Sequence, residues 1–271
     1  MKPLIILLAV LIGLFVLIVV GLKIKPAAFP PYPQQSQAME TVPLPADLPA
    51  PVERFYHTVY GERVPVVKSV VATGRAIVRA IANVALPARF VFVYTPGKNY
   101  RHYFEATIFG LPIMKVNEGY LDGKSFFESP MGTYHDDPNN NQAADLGLWA
   151  ESGWFPAIYV TDPRVRWEPV DDHTALLRVP FEDKSETFTV RFDPETGLID
   201  VMEAMRYRNP GDKAKILWIT QGKGDQTLPG SPIQASGSAT WLDQGTPWAE
   251  FTIEEIRYNV DVSDYIYSRG Q

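Results

Sequence analysis

Phe90-Val91-Phe92-Val93-Tyr94-Thr95-Pro96-Gly97-Lys98-Asn99-Tyr100 is the stretch on which the fold turns. A run of β-branched and aromatic side chains meets a Thr-Pro-Gly-Lys-Asn cluster, and Tyr100 opens a second such run reaching Phe109. The first kind of residue suits a pleated, half-buried surface, and Pro, Gly and Asn supply turn dihedrals. The segment therefore reads as strand, turn and returning antiparallel strand.

The same texture continues in both directions. Downstream, Gly110-Leu111-Pro112 breaks the run and residues 113–120 form another strand. Leu121-Asp122-Gly123-Lys124 then reads as a tight hairpin, because Asp-Gly tolerates positive φ, and residues 125–129 return. Upstream, residues 66–71 open the series. Residues 74–85 carry Ile77, Val78, Ile81 and Ala85 at a spacing that also fits a helix, and are read as a strand. Further strands are expected over residues 165–169, 175–179, 187–192, 198–208, 215–220, 235–242 and 248–258. Short turns between them, at Asp171-Asp172 and at Asp193-Pro194-Glu195-Thr196-Gly197 for example, leave no room for crossover helices. The fold class is thus mainly β, a curved antiparallel sheet or half-barrel, because long sheets tend to curl or close. Two helices interrupt it. Val52, Phe55, Tyr56 and Val59 recur at helical spacing before Gly61, and Asp137-Pro138 reads as a cap and first turn ahead of Ala143 to Trp149.

Residues 4–22, from Leu4 to Leu22, hold no charged side chain. As a helix they would extend roughly 28 Å, the thickness of a hydrocarbon core. The run is longer than a signal-peptide core, and Lys23 and Lys25 follow it. Pro26, Pro30, Pro31, Pro33, Pro43, Pro45, Pro49 and Pro51 then exclude an ordinary helix and suit an extended spacer. The expected organisation is a transmembrane anchor over residues 1–25, a proline-rich linker over 26–46 and a β domain over 47–271. The protein is expected at the cell membrane, single-pass, with the β domain outside the cytoplasm.

A net charge of −6 argues against a nucleic-acid surface, and the lack of cysteine excludes disulfides and thiolate metal sites. His57, His102, His135 and His173 show no metal-ligand spacing, and each is read as a surface or satisfied histidine. Asp136, Asp137, Asn139, Asn140 and Asn141 lack the order of a calcium loop. Neither a Gly-x-Ser-x-Gly elbow nor a phosphate loop is present. No metal, cofactor or catalytic residue is assigned. The aromatics are more suggestive: Trp149, Trp154, Phe155, Trp167, Trp218 and Trp241 are candidates to line an apolar cavity, against the plainer reading of a ring-rich core.

Leu48-Pro49-Ala50-Pro51-Val52, Leu121-Asp122-Gly123, Trp154-Phe155-Pro156, the run from Val165 to Asp172, Arg191-Phe192-Asp193 and Arg206-Tyr207-Arg208 occur in that order. Together they resemble an uncharacterised prokaryotic membrane-anchored family, a domain of unknown function of the 6544 type. The resemblance spans residues 47 to 260 and implies no catalytic residue. The strand pattern is also similar to lipoprotein-carrier half-barrels. The expected function is a module that binds or carries a lipid or other apolar ligand. The alternative is a non-enzymatic interaction or scaffold module of the cell envelope, and an enzyme is the least favoured reading.

Overall fold

The computed structural model describes residues 2–80 and 82–268. Ile81, within the ambiguous 74–85 segment, lies outside the described residues.

Helix α1 (Lys2–Lys23) is long and apolar enough to cross a membrane. After it the chain runs extended through β1 (Thr41–Pro43) to α2 (Ala50–Tyr60), which Gly61 ends at φ +73°. Val52, Phe55 and Tyr56 form the buried face of α2, on the spacing expected. Strand β2 (Arg63–Pro65) pairs with β1.

Thirteen strands then build one antiparallel sheet. The first arm is a meander of β3 (Val70–Val78), β4 (Leu86–Thr95), β5 (Asn99–Ile108), β6 (Leu111–Leu121), β7 (Lys124–Ser129) and β8 (Gly132–His135). A helical insert follows, comprising α3 (Pro138–Glu151), a 3-10 turn (Ser152–Trp154) and α4 (Ile158–Thr161). The second arm is β9 (Arg166–Asp171), β10 (Thr174–Phe181), β11 (Lys184–Phe192), β12 (Ile199–Arg206), β13 (Ile216–Thr227), β14 (Gln234–Trp241) and β15 (Ala249–Tyr258). Strand β15 pairs with β3, which joins the arms, and α5 (Ser263–Ile266) ends the described chain.

This corrects the expected closure. The sheet keeps two free edges, β8 and β9, which do not pair with each other, so it is neither a barrel nor a half-barrel. The physical reason is the helical insert. Helix α3 contacts β6 and β7 on one arm and β10 and β12 on the other. A helix fills the space that strand pairing would have closed.

Alternation sorts side chains to the two faces of the sheet. On β4, Phe90, Phe92 and Tyr94 join the main core, while Val91 and Val93 join a smaller cluster on the opposite face with Phe29, Tyr103, Val260 and Ile266. The proline-rich segment is tied to that second face. Phe29 is buried there, Tyr32 Oη donates to Asp261 O (2.6 Å), and Gln37 N–H donates to Tyr258 O (3.2 Å).

Candidate functional site: an apolar cavity with a charged floor

The inward faces of both arms and α3 enclose a cavity of about 540 Å³. Strands β4 to β6 supply Phe92, Phe104, Met114 and Val116, and β13 and β14 supply Trp218, Ala239 and Trp241. Trp154, Trp248 and Phe251 add to the aromatic part of the wall. Trp218 and Trp241 are register partners on β13 and β14, so two indoles are set side by side by strand pairing.

One cross-strand row crosses this apolar wall and is polar. Phe92, His102 and Glu118 are successive partners on β4, β5 and β6. The His102 ring stacks on Phe92 with centroids 3.7 Å apart. Its Nδ1 lies 3.2 Å from Glu118 Oε1, and its Nε2 lies 3.0 Å from Glu151 Oε2 at the end of α3. Tyr94 Oη donates to the same Glu151 oxygen (3.0 Å). Burial works against an imidazolium here, but the two carboxylates outweigh it and raise the His102 pKa to about 9. His102 is therefore charged at neutral pH.

A second, half-buried cation completes the floor. Arg206, at the end of β12, donates from Nε to Ala143 O (2.9 Å) and holds its guanidinium 4.5 Å from the Trp218 ring centre. Burial lowers its pKa, opposed by Tyr100, Glu118 and Glu151. The floor thus sets His102 and Arg206 against Glu118 and Glu151, two charges of each sign. Among the described residues, no group of three His, Cys, Asp or Glu side chains forms a metal-sized site.

Of the six cavity candidates named from the sequence, Trp154, Trp218 and Trp241 line the cavity. The other three sit elsewhere. Trp149 is buried in the core beside Tyr159, whose Oη donates to Trp149 O (2.6 Å). Phe155 packs on Tyr94 with centroids 5.0 Å apart, and Trp167 meets Tyr159 and Phe192. Trp248 also lines the cavity, and sequence reasoning missed the polar floor. A usable signal existed, because His102 has the same strand parity as the inward-facing Tyr100 and Phe104. The oxygen-rich loop resolves into structural roles. Asp137 accepts from Asn140 N–H (3.0 Å) as the cap of α3, and Asp136 pairs with Lys124 (2.6 Å).

A model for a family of unknown function, DUF6544, matches residues 37–251. The chain belongs to this family. Its matched span takes in both arms and the cavity. No curated protein matches the chain. Among solved structures, it is similar to a domain from Vibrio parahaemolyticus assigned to outer-membrane lipoprotein sorting. That likeness has 11% identity and a TM-score of 0.40, over 71% of this chain and 86% of the other. It is also similar to a LolA superfamily protein from Nitrosomonas europaea, with 9% identity and a TM-score of 0.45, over 81% and 96%.

Proposed function

We propose that the protein binds an amphiphile, a lipid in the first instance, in the cavity between the arms while α1 holds it at the membrane. The observation that carries this reading is the cavity itself: a space of about 540 Å³ with an apolar, tryptophan-rich wall and one buried polar row. Such a wall favours acyl chains, and a few placed polar groups orient a head group. Because the floor carries charges of both signs in equal number, a neutral or zwitterionic head fits it better than a bare carboxylate, which would leave one negative charge unbalanced. The apolar length of α1 supports a single-pass anchor. In this reading the β domain lies outside the cytoplasm. The module binds rather than transforms its ligand in this reading, since each nitrogen of His102 is already engaged by a carboxylate.

The test is native mass spectrometry of the full chain released from detergent, with organic extraction of the same sample. A stoichiometric lipid that disappears from Gly237→Phe protein supports the reading. Gly237 lines the cavity, and a Cβ there would meet Gln221 O at 3.6 Å and Trp154 at 3.7 Å, both ordinary contacts, so a side chain can start there and project into the space. An apo mass that takes up no lipid on incubation overturns it.

A further inference from the structure

The turn between β5 and β6 is apolar, exposed and strained. Phe109-Gly110-Leu111-Pro112-Ile113 carries no charge, and Leu111 is 67% exposed, with Ile113 and Phe109 also exposed. Phe109 and Gly110 both adopt positive φ, +55° and +73°. Asn or Asp would hold the first position with little strain, whereas a bulky aromatic there is an outlier. The ring that bears this strain lies against the last turn of α1. Phe109 N–H donates to Gly21 O (2.9 Å), and a Cβ on Gly21 would lie 2.6 Å from both Ile108 Cγ2 and Phe109 Cε2. Glycine at position 21 is what lets the hairpin approach the helix so closely.

That contact also fixes depth. Gly21 is the next-to-last residue of the uncharged run that Leu22 closes. A tip bonded to Gly21 lies where that run ends, at the boundary between hydrocarbon and head groups. Lys23, Lys25 and Lys115 flank the tip on both chain segments, where lipid phosphates would be met. The cavity reaches towards the same end of the sheet. Met114, three residues past Leu111, lines it, as does Met131, which is 55% exposed in the β7–β8 turn at the same end of these adjacent strands.

We propose that residues 109–113 are a second membrane contact, inserted into the bilayer boundary beside α1, and that they seat the Met114–Met131 end of the cavity against the lipid surface. The inference rests on the anchoring reading above and adds a route, by which the ligand passes between bilayer and cavity without crossing water. The partner is the lipid bilayer itself.

The chain has no cysteine, so single cysteines can be placed and labelled with an environment-sensitive fluorophore. Full-length Phe15→Cys, Leu111→Cys and Lys124→Cys proteins, reconstituted in phosphatidylcholine vesicles with a minority of phosphatidylglycerol, are compared using spin-labelled lipids as quenchers. The label at 111 is expected to show roughly twofold quenching by a shallow spin label, as for a side chain buried ~5–10 Å into the interface. The label at 124, on the opposite end of these strands, should stay unquenched. Quenching at 15 with none at 111 overturns the hairpin inference and leaves the anchor standing. No quenching at 15 overturns the anchor, and the inference falls with it.

Discussion

Helices α1 and α3 are opposites. Helix α1 is built almost wholly of apolar side chains and leaves them exposed from Leu4 to Ile18. Helix α3 carries Asn141, Gln142 and Asp145 and buries all three. The difference shows that burial follows from what surrounds a helix, with composition a poor guide. The polar side chains of α3 stitch the arms together. Asn141 Oδ1 accepts from Ser125 N–H and Oγ (2.7 Å each) on β7. Gln142 Nε2 donates to Met205 O (3.0 Å) on β12, and its Oε1 accepts from Tyr207 N–H (3.2 Å). Among the described residues, α1 meets the domain through a backbone bond at its last turn, from Phe109 N–H to Gly21 O, and its surface calls for an apolar solvent.

The sharpest way to break this contrast is to give α1 charges. Leu11→Lys with Leu14→Lys should cost about 5–7 kcal/mol of insertion free energy for the pair. The chain should then move from the carbonate-resistant membrane fraction to the supernatant. On the other helix, Trp149→Ala removes a fully buried indole and should cost about 3–5 kcal/mol, read as a lower melting temperature of the β domain.

Two titrations sharpen the comparison further. The His102 pKa, raised to about 9, lies above the ordinary 6.5, so the stability it contributes is complete below about pH 6.5 and is lost as pH rises through about 9. That contribution is up to about 3 kcal/mol, and His102→Gln should flatten the pH dependence of unfolding across this window. The profile is best taken in an Asp145→Asn background, because burial raises the Asp145 pKa to about 8. A carboxyl raised in this way favours folding only while protonated, so its support is lost between about pH 4 and pH 8. Asp145→Asn should therefore melt like the parent at pH 4 and be more stable by up to about 5 kcal/mol at pH 8.

Local structure was legible where local chemistry decides it. Strand alternation around Phe90 to Tyr100, the Asp122-Gly123 turn, the Asp137 cap and the apolar face of α2 all depend on near neighbours in sequence. What was illegible depends on distant packing. The open sheet edges go with α3 packing on β6 and β7 of one arm and β10 and β12 of the other, and nothing within strands β8 or β9 announces that. Trp149, Phe155 and Trp167 look like Trp218 and Trp241 in sequence, yet Trp149 and Phe155 on the insert and Trp167 on β9 pack against Tyr159, Tyr94 and Phe192, outside the cavity lining. His102 was weighed singly against metal-ligand spacing, so its partners Glu118, across a strand pair, and Glu151, at a helix end, went unseen. The proline-rich segment read as a spacer, and its extended course was expected. Its docking through Phe29 and Tyr32 depends on a face of the sheet that the sequence does not mark.

The central claim is that the cavity holds an acyl chain. All six tryptophans follow residue 148, and Trp154, Trp218, Trp241 and Trp248 line the cavity, so intrinsic fluorescence reports on it without interference from α1. The measurement is tryptophan emission of the full chain in vesicles with brominated against unbrominated acyl chains. The account predicts strong quenching by the brominated lipid, largely lost in Gly237→Phe. Equal emission in the two vesicles would contradict it.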